Sequence, residues 1–380
     1  MKLWILLTLL LGMVACGDDE GTSNTSPNNT NNQTTQNNTN GTNNTNGSNN
    51  ATAEVLLPCE DTETSFAFEG TVFEDPMGAA DSEYFQTPGA PIAGVPVQIV
   101  TPNGVEVGST CDDGTFRVRA GVSPFFVDVQ PEGRVSSVND TKFLADAMAS
   151  GAVKMVVFGD SIPVYGPTPW FPNLLREKFA AYGDVTLQNV SVAGSSSIDW
   201  EPGSNYFEGR LRPKLEDADV VIFSLGGNDL QEFAMSLDAA TIASRIGELQ
   251  PLVEAIEANL SAIIAQIRQI NPTADILWIL YPNYATSDYW GTVLGSYQSA
   301  GITLLKNQLV GVRRYMADEP VVLADMFAAT EPLDLDTLLS DPLHLNVQGH
   351  VFYADEIFKT LGGVETDAVI VRRGFAVAPD

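Results

Sequence analysis

The sequence predicts an α/β unit, a parallel sheet covered by helices on both faces, preceded by a small all-β unit. Three observations predict it. From about residue 151, five short apolar runs alternate with amphipathic stretches of helical period. Between residues 51 and 140, short segments alternate apolar and polar residues and are parted by turn signals. Apolar residues make up 44% of the 380-residue chain and charged residues only 18%, which is enough apolar material for packed cores.

The apolar runs of the larger unit, 151–380, are Val153 to Phe158, Val185 to Val190, Val220 to Leu225, Ile276 to Tyr281 and Val321 to Leu323. Continuous apolar strands parted by helices are buried on both faces, as in a parallel sheet. The helical stretches lie near 170–182, 245–270, 298–317 and 347–361. In the second, Leu252, Ile256, Leu260, Ile263, Ile264 and Ile267 recur at helical spacing until Asn271-Pro272 ends it. In such sheets chemistry gathers in the loops beyond the carboxyl ends of the strands.

The smaller unit, 51–145, starts its strands at Pro96-Val97-Gln98-Ile99-Val100, followed by the turn Pro102-Asn103-Gly104. Asp113-Gly114 is a second turn signal before the alternating Thr115-Phe116-Arg117-Val118-Arg119, and Phe125 to Val129 is a further strand. This order resembles carboxypeptidase-regulatory-like β-sandwich modules, which usually serve as spacers or adhesive units. Residues 364–380, with Val369-Ile370-Val371, read as an added strand or a cover for a sheet edge.

Charge narrows the function. Lys and Arg total 19 against 48 Asp and Glu, a net charge of −29. Such a surface repels nucleic-acid backbones and anionic lipid. Two His and three Cys, with no C-x-x-C pair, leave little material for a zinc site.

The N-terminus reads as an address. Lys2 precedes an apolar run, Leu3 to Leu11, too short to span a bilayer. The run continues through Gly12-Met13-Val14-Ala15 to Cys16. A small residue followed by Cys resembles the lipobox of bacterial lipoproteins. That implies a signal peptide over 1–15, cleavage before Cys16, acylation of Cys16 and a membrane-anchored protein in the periplasm or at the cell surface. The alternative is an ordinary secretory signal with Cys16 left in its tail. Of residues 21–50, 13 are Asn and 8 are Thr, with no aromatic or aliphatic residue. Nothing there offsets ordering entropy, so 16–50 is expected to be a disordered tether. With Cys16 lipidated, Cys59 and Cys111 remain as an even pair, expected as a disulfide in an exported chain or else as two small buried thiols.

Four motifs fall at strand ends or helix starts of the larger unit. They are Gly159-Asp160-Ser161, Asn189-Val190-Ser191-Val192-Ala193-Gly194, Gly226-Gly227-Asn228-Asp229 and Asp341-Pro342-Leu343-His344. Singly, these residues also suit plain structural work: Ser161 a helix N-cap, Gly194, Asn228 and Asp229 turns. Together and in order they resemble the GDSL/SGNH hydrolase superfamily, serine esterases on a flavodoxin-like sheet. The first block has Ile162 where the family name has Leu, an aliphatic exchange that bears on packing.

The chemistry of the residues agrees. A Ser hydroxyl is a poor nucleophile at neutral pH unless a base takes its proton, and His is the side chain poised to do so. Asp341 lies three residues before His344, so one short loop presents both, and the carboxylate can hold one imidazole nitrogen. Ser161 is therefore expected as nucleophile, His344 as general base and then acid, and Asp341 as its orienter. The resemblance implies an oxyanion hole of the Ser161 and Gly194 backbone N–H groups and the Asn228 side-chain amide. Asp160 reads as structural. His350, in the first turn of the last helix, reads as neutral and structural, because the positive end of a helix disfavours a cation there. Aromatic residues after the second and fourth strands, above all Trp200, Tyr284 and Trp290, are candidates to line the substrate cleft or to pack loops on the core.

The expected function is an exported, lipid-anchored serine esterase with no cofactor. It would act on acetylated polysaccharide, short acyl esters, thioesters or lysophospholipids, or pass the acyl group to a sugar. The competing expectation is a surface glycan-binding or adhesive lipoprotein whose hydrolase unit has lost turnover.

Overall fold

In the computed structural model, the residues described are 55–61, 65–74, 89–122, 124–134, 142–235, 245–295, 298–299, 302–303, 306, 321–365 and 370–377. The signal peptide, Cys16 and the tether lie outside them, as does most of the helical stretch expected at 298–317. The chain begins with five strands: β1 (Phe66–Glu74), β2 (Pro96–Thr101), β3 (Gly104–Ser109), β4 (Thr115–Arg119) and β5 (Phe125–Val129). Then come α1 (Lys142–Ser150), β6 (Ala152–Gly159), α2 (Phe171–Phe179), β7 (Asp184–Asn189), α3 (Arg212–Leu215), β8 (Val220–Ser224) and α4 (Gly227–Met235). The long α5 (Leu249–Ile270), β9 (Asp275–Leu280), α6 (Asp288–Leu294), β10 (Val322–Asp325), α7 (Met326–Thr330) and α8 (Val347–Thr360) complete the larger unit. Two strands follow, β11 (Gly363–Val364) and β12 (Val371–Val377).

The central sheet has the order β10-β9-β8-β6-β7 and is parallel throughout. Successive residues of its strands serve two separate cores, as a pleat demands. Met155 and Val157 of β6, Val220 and Ile222 of β8 and Leu277 and Ile279 of β9 face α1, α2 and α8. Val156 and Phe158, Val221 and Phe223, and Ile276 and Trp278 face the opposite way, against Ile256, Leu260, Ile263 and Ile267 of α5. There the Phe158 and Phe223 rings stack at 5.2 Å, and Trp200 closes on Phe158 at 5.1 Å. Each ring so buried contributes roughly 2–3 kcal/mol of apolar transfer. This is the doubly wound α/β fold that the alternation of runs and helices predicts.

The order reverses at β6. The chain leaves β6 for β7 on one side and returns to β8 on the other. A crevice opens above such a switch point, at the carboxyl ends of the strands.

The small strands form two sheets, β12-β1-β4 and β11-β5-β2-β3. One core joins them: Phe68, Phe116, Val118 and Phe375 from the first, Val97, Ile99, Phe125 and Val127 from the second. Thr101 and Gly104 pair at the end of the β2–β3 hairpin, at the turn expected there. Cys59 and Cys111 form a disulfide with Cα atoms 5.5 Å apart. The stretch 364–380, expected to add a strand or cover a sheet edge, supplies β12, which pairs parallel with β1, while β11 just before it pairs antiparallel with β5. Both pairings cover edges that would otherwise expose unpaired backbone. The two units are also joined through α1, where Val100 and Phe126 share a core with Leu144, Ala145 and Met148. Asp275, at the start of β9, accepts from the Leu144 N–H at 2.6 Å and so satisfies an orphan donor in the first turn of α1.

Candidate active site

Ser161 sits where β6 ends, and Gly159 is the reason the chain can turn there. Its φ is +125°, and a Cβ on it would stand 2.1 Å from the carbonyl oxygen of Ser224. Only a residue without a side chain lets the ends of β6 and β8 approach this closely. The next residue locks the turn. Asp160 is buried; its Oδ1 accepts from the Ile162 N–H at 3.0 Å and the Ser224 hydroxyl at 2.7 Å, and its Oδ2 from the Tyr281 hydroxyl. Burial pushes the Asp160 carboxyl up from its ordinary pKa, while these three donors oppose that rise. Tyr281 is raised well above the usual phenol value by burial and the neighbouring carboxylate, so its hydroxyl stays a donor. Asp160 therefore holds loop backbone, the structural role its position suggests.

The loop before α8 brings the imidazole to Ser161. Leu339 and Leu345 bridge across its base, and Asn346 caps α8 by accepting from the Gly349 N–H at 2.9 Å while donating to the Thr337 and Leu339 carbonyls. Within this clamp, Asp341 Oδ1 accepts from the backbone N–H groups of Leu343 and His344 at 2.9 and 2.8 Å. Its Oδ2 lies 2.7 Å from His344 Nδ1, and His344 Nε2 lies 3.0 Å from Ser161 Oγ. Partial burial alone would raise the Asp341 pKa. The Leu343, His344 backbone and His344 ring contacts outweigh it and hold the carboxyl below its ordinary value. An ionised Asp341 can only accept, so Nδ1 carries the proton and Nε2 faces Ser161 with a lone pair. The structure thus brings together Ser161, His344 and Asp341, the three residues expected as a triad.

Gly194 lies in the loop after β7, and Asn228 lies in the first turn of α4, just after β8. Gly194 is exposed, with φ of +80° and nothing within 4 Å of where a Cβ would stand. Asn228 donates through Nδ2 to the Ser195 carbonyl at 2.8 Å, using one of its two N–H bonds. Asp229 is buried and accepts from the Ser197 N–H and hydroxyl, which fixes the same loop.

The aromatic candidates divide. Trp200 is fully buried, and its Nε1 donates to Ser195 Oγ at 2.8 Å, which in turn donates to the Gly159 carbonyl at 3.0 Å. Trp290 is buried too, donating to the Pro342 carbonyl at 3.3 Å behind the Asp341 loop. Both rings hold loops down rather than facing solvent. Tyr284 is half-buried, and burial with the Tyr353, Asp160 and Asp341 groups around it raises its pKa well above the phenol value.

Two further residues hold the site together, Ser195 and Tyr165. Ser195 links the β6 turn, Trp200 and Asn228, and no sequence signal separates it from its neighbours Ser196 and Ser197. Tyr165 packs its ring against His344 with centroids 4.1 Å apart. Its sequence signal is an aromatic residue four places after Ser161, one helical turn on. Among the described residues, no group of three or more His, Cys, Asp or Glu side chains is placed to hold a metal ion, and no helix is long and apolar enough to cross a membrane.

His350 is buried in the first turn of α8. Its Nδ1 accepts from the Phe171 N–H at 3.3 Å, so Nε2 must carry the hydrogen that reaches the Tyr165 carbonyl at 3.1 Å. Both nitrogens are used in the neutral form. Burial lowers the His350 pKa below its usual 6.5. As pH falls, the unfolded chain takes up this proton before the folded one does, so stability is lost below about pH 6.5. Melting temperature is expected to drop between pH 7 and 5, and less steeply in His350→Gln. Parallel curves for the two proteins would contradict this.

The model of the GDSL-like Lipase/Acylhydrolase family matches residues 157–352, just over half of the chain. A search of curated proteins gave no match. Similar solved structures include the acetyl xylan esterase AlAXEase, at 20% identity over 55% of this chain and 100% of that one, with a TM-score of 0.41. Phospholipase A1 from Streptomyces albidoflavus NA297 is 18% identical over 55% of this chain and 99% of its own, with a TM-score of 0.41. The lipase Lip_vut3 from a goat rumen metagenome is 15% identical over 55% and 97%, also at 0.41.

Proposed function

This chain belongs to the GDSL-like lipase/acylhydrolase family, and from that premise we propose that it is a serine esterase that cleaves carboxylic esters through an acyl-enzyme. The observation that carries the reading is the continuous line Ser161 Oγ, His344 Nε2, His344 Nδ1, Asp341 Oδ2, with gaps of 3.0 and 2.7 Å. Ser161 Oγ attacks the ester carbon while its proton passes to His344 Nε2. The carbonyl oxygen becomes an anion, received by the N–H groups of Ser161 and Gly194 and the second N–H of Asn228. The tetrahedral species collapses, the C–O bond to the alcohol breaks, and Nε2 returns its proton to the leaving oxygen. Water then repeats the sequence on the acyl-enzyme, giving the acid and free Ser161. Asp341 stabilises the imidazolium at each stage, and its depressed pKa keeps it charged to lower pH than an ordinary carboxylate.

The protein is read as exported, with residues 1–15 as signal, Cys16 as lipid anchor and 16–50 as tether to a small β unit and the hydrolase unit. The Cys59–Cys111 disulfide supports an oxidising compartment.

A fluorophosphonate probe tests the reading. Stoichiometric labelling of the wild-type protein, absent in Ser161→Ala, is the expected result. A folded wild-type protein that takes no label would favour a glycan-binding lipoprotein instead. Asn228→Ala is expected to lower kcat about 100- to 1000-fold, with melting temperature little changed. Turnover within a few-fold of wild type would remove Asn228 from the oxyanion hole.

A further inference from the structure

We infer that the ring of Tyr165 is the surface on which the alcohol half of the substrate lies, and that this half is a neutral sugar ring. The inference rests on the esterase reading of Ser161 and deepens it.

Among the described Phe, Tyr and Trp residues Tyr165 is the only exposed one, at 49%. A lone exposed ring elsewhere would mean little. This one lies against the imidazole that touches Ser161, its plane tilted 40° to the His344 ring. Its backbone is also fixed. The Tyr165 N–H donates to the Ser161 carbonyl at 2.8 Å, and its own carbonyl accepts from buried His350. The next carbonyl, of Gly166, accepts from Trp170 Nε1 at 3.1 Å, and a Cβ on Gly166 would stand 2.4 Å from the Leu345 carbonyl oxygen. A rigid, exposed aromatic loses little freedom when a ligand settles on it.

The direction of proton flow says which half of the ester meets the ring. His344 Nε2 returns its proton to the leaving oxygen, so the alcohol lies beside His344 and hence beside Tyr165. By the same reading the carbonyl oxygen is received by Gly194, in the loop after β7, and Asn228, at the start of α4. The face of an aromatic ring is negative and favours C–H bonds over anions, and the C–H face of a pyranose matches its size and flatness. The net charge of −29 opposes alcohols that carry phosphate. A neutral cyclic polyol meets both conditions.

The test compares acetylated methyl glucoside with ethyl acetate, whose alcohol has no ring. The wild type is expected to prefer the glucoside. Tyr165→Ala is expected to lose at least 10-fold more in kcat/KM on the glucoside than on ethyl acetate, mainly through KM. Tyr165→Trp is expected to keep the preference. Binding of the glucoside ester to Ser161→Ala, measured by calorimetry, should weaken at least five-fold when Tyr165→Ala is added. Equal losses on both esters, an unchanged Kd, or a Trp variant as poor as the Ala variant would overturn the inference and leave the esterase reading standing. A wild type that cleaves neither ester and takes no fluorophosphonate would overturn both.

Discussion

Replacing His344 by alanine is expected to lower kcat/KM on any ester by about 10,000-fold or more while leaving the fold intact. The ring is the only base within 3.0 Å of Ser161 Oγ among the described residues, and the hydroxyl is inert without one. The fold survives because the loop is held by other groups. The His344 carbonyl still accepts from the Ser340 N–H at 2.8 Å, and Asp341 still gathers the Leu343 and His344 N–H groups. Circular dichroism and melting temperature should be close to wild type, and a progress curve with a chromogenic ester should be nearly flat. A variant keeping a tenth of wild-type activity would mean that another base serves Ser161. The other histidine cannot take over, because both nitrogens of His350 are committed to the Phe171 and Tyr165 backbone.

Gly159→Ala is expected to cost about 3–5 kcal/mol of stability and to abolish activity with it. Two penalties coincide. The backbone at +125° disfavours any side chain, and the new methyl would overlap the Ser224 carbonyl at 2.1 Å. That carbonyl cannot yield cheaply. It accepts from the Asp160 N–H at 3.1 Å, and Ser224 is paired in register with Gly159 itself. Parting β6 from β8 there would carry Asp160 and Ser161 away from His344. Melting temperature should fall by roughly 5 °C or more. Gly194→Ala is the informative comparison. It shares the positive φ but meets nothing, so its stability loss should be the smaller of the two. Equal melting temperatures would refute the steric account.

The sheet and the candidate triad were legible for one shared reason. Apolar runs such as Val153 to Phe158 and Val220 to Leu225 announce buried strands, and short motifs placed at their ends must meet at one rim. Proximity of Ser161 to His344, 183 positions away, follows from topology rather than from local pattern. Ring burial was not legible. Trp200 and Trp290 follow strand ends as cleft residues would, and only the packing of Phe158 beneath one and Pro342 beside the other fixes them inside. Tyr165 was hidden for the opposite reason. Its exposure depends on backbone bonds from His350 and Trp170 to its segment, and neither bond has a local signature. The partner of β12 was beyond reach as well. A strand such as Val371–Val377 carries no mark of which edge it will join, and the edge of β1 lies some three hundred residues earlier.

That last pairing orders events in time. With Phe68 beside Val371 and Phe73 beside Ala376, the first sheet has one flank bare until the final strand arrives. A chain synthesised from its N-terminus delivers that strand after the whole hydrolase unit. The small module is therefore a clasp shut by the tail. Proteolytic loss of the tail would reopen it, and a hydrolase unit cut out for separate use would take the clasp apart.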